Sequence, residues 1–312
     1  MIEAIVGEFE KREICDRISR ILCDLGNPEP PIRLEEVRSL LSLDLHYYSN
    51  SEPGLIAELS HRFKLLTQKT IPDIGRHLAE ALAKSKLCAF WVPDSAKIMI
   101  DSNVHEAKHR WIQAHEITHS VTKWHKDFLL GDNRQTLDPT CHAIIEAEAN
   151  YGAGRLLFLD DRFQMEARDL DLSFNSVKFL SKRFENSLVS TLWRTVEDRD
   201  PTQSVFGLIS EHPFYPEIGK HDGPMPWKYF IRSAAFRTQF SNITPADVFE
   251  LIQQHATRVK SGPVFTAQIL LRDVIGNDWE FKIESFSTTH ALLTFGFVTA
   301  LKPLMVSAAL KI

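Results

Sequence analysis

The sequence predicts an α+β protein, with a mainly helical part that carries a small β-sheet followed by a β-rich part. Up to about residue 200, apolar residues recur mostly every three or four positions, as they do on amphipathic helices. Beyond that point, runs such as WEFKIESF and ALLTFGFV are rich in β-branched and aromatic residues. We therefore predict an N-terminal helix and linker over residues 1–32, a helical domain over 33–199 and a β-rich domain over 200–312.

In the helical part, each predicted helix combines an apolar stripe with flanking turn residues. The predicted helices cover residues 2–24, 34–42, 55–66, 73–85, 104–122, 142–159, 173–184 and 186–197. The proline-rich segment GNPEPPIR ends the first of them. Short strands are expected at LDLHYYS, LCAFWV and KIMID, and a polar loop is expected over residues 125–140.

In the β-rich part, five runs are typical of strands: SVFGLIS, KYFIRSAAF, VFTAQILLRDVI, WEFKIESF and ALLTFGFV. Gly276, Asn277 and Asp278 predict a hairpin turn between two of them. One helix, PADVFELIQQHA, interrupts the series, and Thr244 is its predicted N-cap. Five strands and a helix are compatible with a GAF- or PAS-like fold, which would make this region a sensor or partner-binding domain.

Composition and charge favour a cytoplasmic protein with no membrane segment. The net charge of −5 provides no global positive field for nucleic acid. The N-terminal residues lack the basic and apolar regions of a secretory signal, and Lys302 and Pro303 interrupt the most apolar stretch. The four cysteines form no CxxC pair, and together with the missing signal they indicate a reducing compartment.

The stretch HEITHSVTKWH, from His115 to His125, predicts a metal site. His115 and His119 are four residues apart on a predicted helix, so both imidazoles project from one face and can bind one Zn²⁺. Glu116 lies about 100° further round the helix, where it can reach a metal-bound water without binding the metal. Zinc would acidify that water, and Glu116 would accept its proton as the general base of a peptide hydrolysis.

Two arrangements compete for the third zinc ligand. In the metzincin pattern HExxHxxGxxH, the ligand is a histidine placed like His125. That pattern needs glycine where this chain has Thr122, and a β-branched residue is poorly suited to positive φ. We therefore expect His125 to be an exposed loop histidine just past the end of the helix.

The other arrangement takes a glutamate from the second helix, where EAEAN offers Glu146 and Glu148. These two side chains point about 200° apart, so only one of them can face the HEITH helix. We favour Glu146, because Asn150 follows it one turn later and can hydrogen-bond a ligand. Small residues between Ala147 and Gly154 would let the two helices pack closely.

With these motifs in place, the chain resembles the ImmA/IrrE zinc metallopeptidases, whose usual pattern is HExxH followed by ExxANxFAxxLLMP. HEITHSV and EAEANYGAGRLL carry the resemblance, which extends over about residues 33–197. It implies that His115, His119 and Glu146 bind Zn²⁺ and that Glu116 is the catalytic base. Gly152 stands where the family usually has phenylalanine, and Phe158-Leu159 replaces Met-Pro.

The resemblance also implies a biological role. Such an endopeptidase would cleave a specific regulatory protein, typically a helix-turn-helix transcriptional repressor, in a stress, mobile-element or phage-defence response. A small molecule or nucleic acid acting on the C-terminal domain is the expected activator. The alternative function is a non-proteolytic regulator with a structural zinc site, whose C-terminal domain binds a ligand or nucleic acid.

Cys141 adds a regulatory hypothesis. It lies five residues before Glu146, at the predicted start of the second helix, so its thiolate could bind zinc in place of water and hold the enzyme inactive. The competing interpretation is a buried structural cysteine.

Overall fold

The computed structural model describes residues 6–48, 89–92, 96–130 and 139–301, and within them the fold is α+β. By compactness the chain divides into two units between Asp160 and Asp161. The predicted boundary near residue 200 lies inside the second unit, whose first helices accompany the C-terminal sheet. The predicted functional domains stay a prediction, as do the helices at 55–66 and 73–85, which lie outside the described residues.

In its described residues, the first unit combines five helices with a three-stranded sheet. The helices are α1 (Glu8–Asp24), α2 (Leu34–Leu40), α3 (Glu106–Val121), α4 (Lys123–Leu130) and α5 (Pro139–Leu157). The strands are β1 (Asp44–Tyr48), β2 (Ala89–Val92) and β3 (Lys97–Asp101), in the order β1-β3-β2. β3 pairs in parallel with β1 and antiparallel with β2, and it is central and largely buried.

Helix α5 is the centre of this unit, because α1 and α3 both pack against it. Gly152 allows the close approach, since a Cβ at this position would lie 2.3 Å from Cγ2 of Thr118 on α3 and 3.0 Å from Cγ2 of Ile14 on α1. Ala149 and Ala153 are fully buried on the same helix. The small residues expected to bring the two motif-bearing helices together therefore do so.

The second unit is a five-stranded antiparallel sheet covered by helices on both faces. Its helices are α6 (Asp161–Arg168), α7 (Phe174–Arg183), α8 (Leu188–Asp198), α9 (Ala234–Gln239) and α10 (Pro245–His255). Its strands are β4 (Val205–Ser210), β5 (Trp227–Arg232), β6 (Gly262–Arg272), β7 (Asp278–Ser287) and β8 (Leu292–Leu301), in the order β5-β4-β8-β7-β6.

Strand β4 shows how the sheet is built, because all its residues are buried. Val205 and Ile209 pack on the face that carries α7 and α8, whereas Phe206 and Leu208 pack on the face that carries α9 and α10. This alternation follows from the two-residue period of a strand. Gly296 of β8 gives the Phe206 ring its space, since a Cβ there would lie 2.2 Å from Cζ of Phe206.

Two local predictions were wrong, and one helix was missed. A polar loop was expected over residues 125–140, but its first residues belong to α4 (Lys123–Leu130). The segment SAAF, expected to continue a strand, begins α9, with the Ser233 side chain accepting a hydrogen bond from the Phe236 backbone. Helix α6 was not expected at all. The predicted N-cap at Thr244 is confirmed, in a capping box with Asp247.

No helix in the described part of the chain is both long and apolar enough to cross a membrane.

Candidate metal centre

Helix α3 carries the HEITH motif, and buried apolar residues within and next to the motif pack it into the first unit. Ala114 and Ile117 are fully buried, and the Thr118 hydroxyl donates to the Ala114 carbonyl at 2.9 Å. This packing fixes the rotation of the helix. His119 is therefore buried, while the His115 side chain remains 14% exposed, and both imidazoles point to α5.

Helix α5 brings Glu146 to these two histidines. The Nε2 atoms of His115 and His119 lie 3.1 Å apart. One carboxylate oxygen of Glu146 lies 3.2 Å from Nε2 of His115, and the other lies 3.6 Å from Nε2 of His119. Among the residues that the structure describes, these three form the group able to hold a metal ion.

The spacing of the donor atoms fits a tetrahedral cation. Ligand atoms about 2.0–2.2 Å from Zn²⁺ at tetrahedral angles lie about 3.3–3.6 Å from one another. The observed separations of 3.1, 3.2 and 3.6 Å are close to this range. The Glu146 side chain is 42% exposed, so the group is open to solvent on its side. Two imidazoles and one carboxylate are a donor set that zinc prefers at catalytic sites.

The remaining nitrogen of His115 is occupied in the way that metal binding requires. Its Nδ1 lies 3.1 Å from Oδ1 of Asn150. An amide oxygen only accepts hydrogen bonds, so Nδ1 of His115 carries the proton and Nε2 presents its lone pair to Glu146 and His119. Asn150 thus occupies the place expected for a residue that orients a ligand.

The surroundings of His115 favour a positive charge on its imidazole. Burial alone lowers the pKa of this histidine, but the hydrogen bond to Glu146 and the charges of Glu116 and Glu146 outweigh burial and raise the pKa above its usual value. The carboxylates of Glu116 and Glu146 therefore stabilise positive charge at this site. The same field favours a divalent cation.

Glu116 is the buried acid beside this group, with 6% of its surface exposed. Its pKa is raised to about 7, mainly by burial and also by the Glu146 charge, against the opposing effects of His115 and a hydrogen bond from the backbone of Trp91. Trp91 belongs to β2, so a hydrogen bond from the sheet backbone fixes the position of the Glu116 carboxyl. A carboxyl with a pKa near 7 is suited to take up and release a proton at neutral pH.

Comparison with known proteins supports the fold alone. No protein-family model and no curated protein matches the chain. One solved structure, described as a Mycobacterium tuberculosis transcriptional regulator, is similar with a TM-score of 0.53 and 10% sequence identity. The match covers 93% of this chain and 76% of that one. At this level of identity, the architecture is shared but no activity is transferred.

Two other candidate residues, His125 and Glu148, lie behind His119 rather than among the metal-facing atoms. His125 was expected to be an exposed loop residue, and this was wrong, because it is fully buried on α4. Its Nδ1 contacts Nδ1 of His119, on the side of the ring away from Glu146. Glu148 faces His125 rather than the metal group. Cys141 lies in α5, but its side chain is outside the described part of the structure, so the thiolate hypothesis stays a prediction.

The contacts among Trp124, His125 and Glu148 were not predicted from the sequence. Trp124 Nε1 donates to Glu148 at 2.6 Å, and the same carboxylate oxygen lies 2.8 Å from Nε2 of His125. A signal was present, because the apolar residues of KWHKDFLL recur at helical spacing and predict a helix rather than a loop. A helix there turns His125 inward.

Proposed function

We propose that the chain is a zinc-dependent endopeptidase. The observation that carries this proposal is the meeting of His115 and His119 with Glu146 at separations suited to zinc, beside the buried acid Glu116. Neither histidine spacing nor an isolated glutamate would suffice. The combination supplies a cation site and a proton acceptor within one solvent-accessible group.

His115, His119 and Glu146 would hold the cation, and Zn²⁺ bound there would supply Lewis acidity toward a water and a peptide carbonyl. Glu116 would accept a proton from the attacking water and deliver it to the leaving amine nitrogen. Its pKa of about 7 suits both transfers. A bound cation would lower this pKa, and so favour the basic form before the attack.

A purely structural zinc site is the rival function. Structural sites have four protein ligands and no open position, whereas the group in the described residues contains three. A buried carboxyl with a raised pKa beside a structural zinc would cost stability without a compensating role. The buried carboxyl of Glu116 therefore favours catalysis over a non-proteolytic regulator.

The substrate class follows from the family resemblance. HEITHSV and EAEANYGAGRLL resemble the ImmA/IrrE peptidases, so the proposed substrate is a helix-turn-helix transcriptional repressor in the cytoplasm. Its cleavage would switch on a stress, mobile-element or phage-defence response. The structurally similar chain is described as a transcriptional regulator, which agrees with a regulatory role. The C-terminal domain would sense a small-molecule or nucleic-acid activator or present the substrate.

The proposal is tested with the Glu116→Gln variant on a proteome-derived peptide library. Wild-type protein loaded with zinc should produce new peptide termini, and the variant should produce none while keeping its zinc. Glu106→Gln is a matched control, because it makes the same change at an exposed position of the same helix. Equal cleavage by the wild type and Glu116→Gln, or none by any zinc-loaded protein, would contradict the proposal.

A further inference from the structure

A buried chain of hydrogen bonds leads away from the candidate metal centre. Nδ1 of His119 lies 2.9 Å from Nδ1 of His125, and Nε2 of His125 lies 2.8 Å from a carboxylate oxygen of Glu148. His125 is 0% exposed and Glu148 is 2% exposed. Two buried polar side chains are therefore lined up behind the imidazole of His119, in a region where an unmet hydrogen bond is costly.

The donors and acceptors of these hydrogen bonds can be assigned by starting at Glu148, the residue furthest from the metal centre. The indole of Trp124 can only donate, and it donates to the same Glu148 oxygen at 2.6 Å. An ionised Glu148 only accepts, so Nε2 of His125 carries a proton and donates it to Glu148. The Nδ1 atom of a neutral His125 is then an acceptor.

This assignment fixes the tautomer of His119. With His125 in its neutral form, its Nδ1 accepts, and Nδ1 of His119 is the donor of the bond that joins them. The lone pair of His119 is then on Nε2, which faces His115 and Glu146. If the hydrogen bond between the two histidines ran in the opposite direction, the proton of His119 would sit on its Nε2 and block metal binding.

We propose that Glu148 and His125 are positioning residues that hold His119 in its metal-binding tautomer and orientation. This inference rests on the proposed function of the group formed by His115, His119 and Glu146. It goes beyond that function, because it assigns a role to two residues that bind neither metal nor substrate. His115 has its own positioning residue, Asn150, so both imidazoles would be oriented from behind.

The role of His125 separates this proposal from a metzincin-like site. In a metzincin the histidine at this spacing binds the metal itself. Here its Nδ1 contacts the non-metal nitrogen of His119, and its Nε2 contacts Glu148, so both of its nitrogens already have partners. His125 would therefore affect zinc affinity only through His119.

The test compares two substitutions of His125 in the full chain. Asn places an amide oxygen near the position of Nδ1 and can still accept from His119, whereas Phe fills the space without an acceptor. We expect His125→Phe to weaken zinc binding roughly 10–100-fold, the usual effect of losing such a partner. His125→Asn should stay within roughly threefold of the wild type. Zinc affinity is measured by competition with a chromophoric chelator, on protein whose folding is verified by circular dichroism.

Glu148→Gln provides a second variant if His125→Phe does not fold. A neutral amide accepts more weakly from His125, and we expect zinc affinity to fall by roughly tenfold. A wild-type chain that binds no zinc would overturn the proposed function, and with it this inference. A wild type that binds zinc, with equal affinity in all three variants, would overturn the positioning role alone. An equal, large loss in His125→Phe and His125→Asn would instead indicate a direct ligand.

Discussion

The contact between α3 and α5 at Gly152 can be tested by adding one methyl group. In Gly152→Ala the new Cβ would lie 2.3 Å from Cγ2 of Thr118, whereas carbon atoms in contact are normally about 3.5–4.0 Å apart. Thr118 and Ile14 are buried with at most 1% of their surface exposed, so neither can move aside easily. The helices must therefore separate by on the order of 1 Å.

The cost can be worked from two opposing effects. Overpacking a well-packed core costs about 1–3 kcal/mol, and the upper end applies here because two buried β-branched side chains are struck. Alanine is favoured over glycine inside a helix by about 1 kcal/mol. The net loss of stability is therefore about 2 kcal/mol, which would lower the Tm by roughly 4–8 °C in a unit of this size.

Thermal unfolding of the two proteins by circular dichroism or calorimetry measures this loss. Gly207→Ala is the control, because a Cβ at that buried glycine would meet its nearest neighbour, Val196, at an ordinary 3.4 Å. We expect little change in the control. Zinc affinity should fall in Gly152→Ala, because α3 and α5 carry the ligands. An unchanged or higher Tm in Gly152→Ala would refute the close packing described here.

Three further predictions concern the second unit. Gly296→Ala should lower the Tm, because the methyl would strike the Phe206 ring, and a Tm equal to the wild type would contradict that contact. Thr244→Ala should cost about 1 kcal/mol in denaturant unfolding through loss of the capping box, whereas no loss would mean that the cap is dispensable. Burial would raise the pKa of Asp273, but hydrogen bonds from Trp279, Asn277 and Ile275 outweigh it and leave the pKa below its usual 3.8. A depressed folded-state pKa stabilises the fold above the unfolded value, and this contribution is lost as the pH falls through the folded one. Asp273→Asn should therefore lower the Tm at neutral pH, and the difference should shrink below about pH 4; a difference independent of pH would contradict the assignment.

The spacing of the motifs was enough to predict which metal-site side chains come together. His115 and His119 share a face because they are four residues apart on a helix, and Glu146 with Asn150 repeats this spacing on another. These are local consequences of helical geometry. The alternation in β4 and the cap at Thr244 were predictable for the same reason.

The buried surroundings of the site could not be predicted, because they depend on contacts between distant residues. The exposure of His125 depends on whether the chain continues as a helix after Thr122. That helix is stabilised by the buried hydrogen bond between His125 and the Glu148 carboxylate of α5. The raised pKa of Glu116 likewise depends on burial beneath β2. At α9, the run KYFIRSAAF is strand-like in composition, so it was predicted as a strand although Ser233 caps a helix there. Tertiary contacts decided each case.

The most direct test of the central claim is the zinc content of the purified protein, measured by plasma mass spectrometry after removal of loosely bound metal. The wild type and Glu116→Gln should each retain about one zinc per chain, since Glu116 is not a ligand. His115→Ala and Glu146→Gln should retain far less, and folded protein verified by circular dichroism is compared throughout. A wild type without zinc, or equal zinc in Glu146→Gln and the wild type, would contradict the assignment of His115, His119 and Glu146 as the metal ligands.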